Sequence, residues 1–206
     1  MHVETIAFYD HNADALAAQY DAADMSSMYR LISRLLPADG RILEIGCGNG
    51  RDARKLSEMG FSVTACDASC EMIEIARAAK RLERVKYHCK AFPVQSGDSI
   101  LSCRFDLVLS VAMIMHLPLA QIPDFIEQIS AMLVANGIFI FSWCNRESCD
   151  ERLYEKVTRE YIFSLLRGNS LEIIDCATTK DSLGRAIDWF QVVARKRSET
   201  LKDRLA

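Results

Sequence analysis

Residues 41–50, RILEIGCGNG, constrain this chain more than any other stretch. Asp39-Gly40 makes a turn, Ile42 to Ile45 read as a strand, and Gly46, Gly48 and Gly50 sit where that strand gives way to a helix ending at Gly60. Glycine at such a junction permits a tight turn with positive φ and lets a ligand touch the backbone. The helix's first amide groups then face that ligand and favour negative charge on it.

The same strand-then-helix rhythm continues. FSVTACD alternates as a second strand, and Ser69 is placed to cap a helix carrying Met72, Ile73 and Ala76. VKYHC is a third short strand; Gln95 to Arg104 form a polar loop; FDLVLSV is apolar enough to be buried on both faces. Ile122, Phe125, Ile126, Ile129, Met132 and Leu133 have helical spacing, closed by Asn136-Gly137, and IFIFSW is the fifth strand. A charged helix is expected from about Asp150 to Leu166, then two strands, LEIIDCA and DWFQVVARK, with no helix between them. Upstream, Ala13, Leu16, Ala17 and Tyr20 define one helix, and Met28, Leu31, Ile32, Leu35 and Leu36 a second, stopped by Pro37. The pattern predicts an α/β chain: a Rossmann-like three-layer sandwich around a seven-stranded, mostly parallel sheet with an antiparallel C-terminal edge strand. Residues 1–206 are read as a single domain, with 1–37 a helical cover, 38–145 a cofactor-binding core and 146–206 a C-terminal helix and two strands.

Composition excludes some functions. A net charge of −3 argues against a nucleic-acid surface, and Arg195-Lys196-Arg197 is read as a solvated terminus. No apolar stretch approaches the roughly 20 residues that span a bilayer, and MHVETIAFYD has neither the basic head nor the apolar core of a secretion signal. Among the 8 cysteines, Cys47, Cys66, Cys89 and Cys176 lie in or beside apolar runs. Reduced thiols and a cytoplasmic setting are the expectation, with no zinc site at Cys144 and Cys149.

Two cofactor classes suit the glycines, a dinucleotide and S-adenosylmethionine (SAM). The dinucleotide fingerprint wants glycine at its sixth position, where Arg51 stands, and Glu44 would repel a pyrophosphate. LEIGCGNGRD, the acidic end of VTACDAS, FDLVLS and MLVANGIFIFS together resemble the class I SAM-dependent methyltransferases. The resemblance is strong over about residues 38 to 145 and implies SAM as cofactor. It assigns Asp67 to the ribose hydroxyls and Glu44 to the methionine end. Gly46, Cys47, Gly48 and Gly50 form the loop, Ala68, Met72, Ala91 and Phe92 flank the adenine, and Ser110 closes the fourth strand. Lys90 departs from the pattern, since it cannot accept a bond from the adenine amine.

His116, in MIMHLP after the fourth strand, is the candidate general base, against an orienting role beside Leu117-Pro118. Tyr9 and Tyr20 resemble lid tyrosines of some relatives, and Met113, Ile114 and Met115 suit an apolar acceptor wall. Arg51 is expected to pair with Asp52 or a neighbouring loop. Asp181, Arg185 and Trp189 resemble a tail of small bacterial methyltransferases, with Arg185 in an ion pair across the final hairpin. The expected function is methyl transfer from SAM to a small-molecule nitrogen, oxygen or sulfur nucleophile, by a monomer or homodimer without nucleic-acid or membrane partners. The alternatives are a non-methyl reaction of SAM such as intramolecular displacement, a non-catalytic SAM-binding subunit, and a dinucleotide oxidoreductase.

Overall fold

Alternating side chains along each strand feed two separate cores, and this is what layers the molecule. The computed structural model describes residues 1–80, 82–147 and 150–198. Its strands are β1 (Arg41–Ile45), β2 (Ser62–Asp67), β3 (Val85–Cys89), β4 (Phe105–Ser110), β5 (Leu133–Trp143), β6 (Leu171–Lys180) and β7 (Asp188–Lys196). They form one sheet in the order β3-β2-β1-β4-β5-β7-β6. β1 to β5 are mutually parallel, and β7 lies antiparallel between β5 and the edge strand β6.

Ile42, Val63, Leu107, Ile138 and Ile140 face α3 (Ser26–Leu35), α4 (Arg51–Glu58) and α5 (Cys70–Ala79). Their neighbours Leu43, Val108, Phe139 and Phe141 face α6 (Ile122–Met132) and α7 (Arg159–Gly168). On that second face Phe139, Phe141 and Trp143 stack at 4.3 and 5.6 Å between centroids, and the buried Trp143 Nε1 donates to the Val157 carbonyl at 3.0 Å. The chain leaves β3 at one end of the sheet and re-enters at β4, on the far side of β1. The strand order therefore reverses beside the glycine turn, where such sheets bind ligands.

Several expectations are corrected. The N-terminal cover holds three helices, because residues ahead of Ala13 form α1 (Val3–His11), followed by α2 (Ala13–Asp21). Asn12 separates the two, its amide side chain and backbone N–H both donating to the Phe8 carbonyl. The helix expected from Asp150 starts only at Arg159, where the Thr158 hydroxyl accepts from Tyr161 N–H. Residues 150–157 are held off helical geometry by partners elsewhere: Leu153 N–H donates to Thr5 Oγ1, Glu155 N–H to the Met115 carbonyl and Val157 N–H to Asn145 Oδ1. α6 ends at Met132, so Asn136 and Gly137 lie within β5, where the left-handed Asn136 (φ 63°) takes the bend. The polar loop 95–104 contains a short 3-10 turn, Ser99–Ser102.

Cysteine usage also differs. Cys70 and Cys89 form a disulfide, since parallel pairing sets Asp67 beside Cys89 and the turn after Asp67 returns Cys70 to within a Cα separation of 5.1 Å. Cys176 is an unbridged, exposed residue of β6, not a core residue. Cys149 lies outside the described residues. Lys196 is no solvated terminal lysine, because its ammonium donates to the Ser130 and Leu133 carbonyls. No described helix is long and apolar enough to cross a membrane.

Candidate functional site

The glycine turn is the floor of a cavity of about 350 Å³ at the carboxyl ends of the strands. α1 and α2 roof it, and the β6–β7 turn and the segment after β5 close the far side. Several bonds clamp the roof to the floor, among them one from Arg51 Nη1 to the Tyr20 carbonyl. Asn49 Nδ2 donates to the Ala17 carbonyl and to Asp21, and the Ser69 hydroxyl donates to Asp10 at 2.6 Å. Arg51 makes the expected pair with Asp52 at 2.8 and 2.9 Å, and Tyr29 donates to the same carboxylate.

Two glycines have separate jobs. At Gly48 (φ +53°) a Cβ would come within 3.2 Å of the Tyr20 ring, so its missing side chain belongs to the cavity. At Gly50 (φ +73°) a Cβ would meet Tyr87 and Ala76 at 2.7 to 2.9 Å, so this glycine serves packing of α4 against β3 and α5.

Two carboxyl groups sit on the floor. Asp67 accepts from Gly48 N–H at 2.8 Å and Ser69 N–H at 2.9 Å, and burial raises its pKa against these bonds. Glu44 is 4% exposed, and its Oε2 has no hydrogen-bond partner among the described residues. Burial, reinforced by the Asp52 carboxylate, pushes the Glu44 carboxyl well above its ordinary range.

At the opposite end, Tyr9 Oη lies 3.2 Å from His116 Nε2, and His116 Nδ1 lies 3.0 Å from the Leu153 carbonyl. The Tyr154 ring packs 4.6 Å from the imidazole. Arg152 pairs with Asp150 and stands 4.8 Å from the Phe8 ring and 5.7 Å from those of Tyr9 and Tyr154; Arg146 stands 5.1 Å over Tyr154. Burial pushes His116 down to about 4 despite the opposing bond to Leu153, and it pushes Tyr154 up to about 12. In the β6–β7 turn Asp181 accepts from Arg185 and from Trp189 Nε1, holding both at the cavity rim. These bonds, Arg185 first, lower its pKa.

The cavity thus brings together Tyr9, Tyr20, Glu44, Gly46, Cys47, Gly48, Asp67, Met113, Met115 and His116. Gly50, Ala68, Met72, Ala91, Phe92, Ser110 and Ile114 do not line it. Met72 is covered by Ala13 and Leu16, Phe92 and Ile114 belong to the core beneath, Ser110 is fully buried, and Ala91 is exposed beyond the disulfide. Lys90 pairs with Asp98 instead of facing the cavity. Sequence reasoning passed over Asn49, Arg146, Arg152 and Tyr154. Asn49 was legible inside the glycine frame; the other three lie where the chain has no period.

Residues 42–137 match the methyltransferase domain family. The ubiquinone biosynthesis O-methyltransferase of Coxiella burnetii is 30% identical over 127 residues, 61% of this chain and 52% of that protein. Its Rickettsia prowazekii counterpart is 30% identical over 162 residues, 78% of this chain and 60% of that protein. The chain therefore spans a little over half the length of these curated relatives. Among solved structures, the 1,6-didemethyltoxoflavin-N1-methyltransferase of Burkholderia thailandensis, with bound 1,6-didemethyltoxoflavin and S-adenosylhomocysteine, superposes with a TM-score of 0.75. It is 22% identical, and the match covers 95% of this chain and 88% of that one.

Proposed function

We propose, from the match of residues 42–137 to the methyltransferase domain family, that this chain is a class I SAM-dependent methyltransferase that transfers a methyl group from SAM to a small-molecule acceptor. The observation that carries the reading is Glu44, a buried carboxyl on the cavity floor whose Oε2 lacks a partner among the described residues. Leaving such a group unsatisfied costs about 1–3 kcal/mol. An ammonium group bound there satisfies it and draws its pKa back down. Asp67, at the end of β2, accepts from the ribose hydroxyls, and the backbone of Gly46, Cys47 and Gly48 admits the rest of the ligand without a side chain in the way. SAM supplies a methyl on a sulfonium, an excellent leaving group. The protein's own share is alignment and exclusion of water, to which the α1–α2 roof is suited.

A cavity of about 350 Å³ is of the size that small ligands fill. The curated relatives are O-methyltransferases by name, and the Burkholderia thailandensis structure is by name an N1-methyltransferase with 1,6-didemethyltoxoflavin bound, which supports a small acceptor. The net charge of −3 supports an acceptor other than nucleic acid. The unbridged Cys47, Cys66 and Cys144 fit a reducing, cytoplasmic setting for one folded unit, and the Cys70–Cys89 disulfide counts against it. Titration calorimetry with SAM and with NAD tests the cofactor, and mass spectrometry of a metabolite extract incubated with SAM tests the reaction. Micromolar SAM binding and a product one methylene heavier are expected. NAD binding without SAM binding overturns the reading.

A further inference from the structure

We propose that Tyr9 and His116 form a proton relay for the acceptor, and that the relay selects a weakly acidic O–H or N–H on an aromatic or heteroaromatic ring. The inference rests on the methyl-transfer reading above. Its first support is the hydrogen-bond chain. A backbone carbonyl only accepts, so the 3.0 Å contact to Leu153 requires the proton on His116 Nδ1. Nε2 is then a lone pair, and the 3.2 Å contact makes Tyr9 its donor. Both residues line the cavity, Tyr9 from α1 and His116 from the segment after β4, so the hydrogen-bonded pair borders the space an acceptor enters.

The groups facing the imidazole are Tyr9 from α1 and Arg152, Asp150, Tyr154 and Arg146 from the segment after β5. Burial, with the two guanidiniums adding and Asp150 opposing, keeps His116 neutral throughout the physiological range. The lone pair is therefore always available, and equally it is a weak base. The acceptor's X–H proton passes to Tyr9 Oη as the Tyr9 proton passes to His116 Nε2. In the same step the X–C bond forms and the C–S bond breaks with its electron pair left on sulfur. Nothing is oxidised or reduced; one positive charge moves from sulfonium to imidazolium, and the proton returns to water after release. Loss of the sulfonium charge removes a repelling cation just as the imidazole must take the proton. So weak a base does little to activate an aliphatic alcohol, which would have to attack almost fully protonated. A phenol or acidic ring N–H, near pKa ~10 or below, is within reach of a concerted transfer. The walls agree with a planar guest: the Tyr9 and Tyr154 rings, Trp189, Met113 and Met115 border the space.

The test uses the full chain, SAM, and four probes of similar size: phenol, catechol, benzyl alcohol and benzylamine. Methylation of phenol or catechol only is expected. With catechol, Tyr9→Phe and His116→Gln should each lower kcat by about 10²–10⁴-fold while SAM affinity by calorimetry is unchanged. The Tyr9→Phe residual rate should climb about tenfold per pH unit toward the acceptor's own ionisation, because ionised acceptor needs no relay. Glutamine can accept from Tyr9 but cannot take a proton, so a His116→Gln variant as active as the parent reduces His116 to a positioning residue and overturns the relay. Ring ¹⁵N spectra should show His116 neutral with Nδ1–H at about pH 6.5; the Nε2–H tautomer overturns it too. Preferred methylation of benzyl alcohol or benzylamine, or of no probe by a protein that binds SAM, overturns the acceptor class. Absence of SAM binding instead fails the methyl-transfer reading itself.

Discussion

His116 should make this protein lose stability with acidification in a way one substitution can isolate. The side chain is 2% exposed, and burial holds its folded pKa at about 4 against 6.5 in the open chain. Above pH 6.5 neither state binds the proton. Between 6.5 and about 4 the unfolded chain takes it up and the folded one does not, so the folded state is progressively disfavoured as pH falls. At 1.36 kcal/mol per pH unit the full loss is about 3 kcal/mol, a large fraction of the roughly 5–15 kcal/mol that holds a typical domain together. Glu44 and Asp67 act in the opposite sense, because burial raises their folded pKa values and the folded state then keeps its protons longer. The parent's pH profile alone is therefore a mixture. His116→Gln removes the imidazole and leaves both carboxyls, so the difference between parent and variant reports His116 alone. Urea denaturation at about pH 7.5, 5.5 and 4 measures it. Whatever the variant costs at pH 7.5 in lost packing, the difference should move by about 3 kcal/mol in the variant's favour on going to pH 4. A difference that stays constant with pH would refute the reasoning, because it would mean the imidazole titrates alike in both states.

The other predictions are briefer. Asp67→Ala should weaken SAM binding by roughly 2–4 kcal/mol in calorimetry, with Asp67→Asn milder; unchanged affinity would place the ribose elsewhere. Gly48→Val should abolish SAM binding while circular dichroism stays native, because the added bulk meets Tyr20 in the cavity. Gly50→Ala should instead cost about 1–3 kcal/mol of stability through overpacking against Tyr87 and Ala76; a variant as stable as the parent contradicts that packing. Cys70→Ser should cost about 3 kcal/mol under non-reducing conditions, for a bridge spanning a sequence separation of 19, and nothing relative to fully reduced parent.

What the chain's order alone determined is whatever depends on near neighbours. The run Ile42 to Ile45, the glycine turn and the helix behind it are set by side-chain period and by backbone freedom at fixed positions. So are the Ser69 cap, which accepts from Met72 N–H at 3.2 Å, and the buried β4 and β5. Asp67 and Glu44 were legible because their distance from the glycines is a matter of counting. Tertiary structure decided the rest. α1 was missed because its apolar residues gather no clear stripe, and the path of residues 150–157 because their backbone partners are Thr5, Met115 and Asn145. The disulfide needed β2 and β3 in register before Cys70 and Cys89 could meet. His116 was visible as a candidate, but its tautomer comes from the bond to Leu153, and its depressed pKa from burial first and Arg152 second. A residue's type and spacing tell what it can do, whereas its protonation and partners are set by groups 37 and 107 positions away, which only folding brings within 3.0 and 3.2 Å.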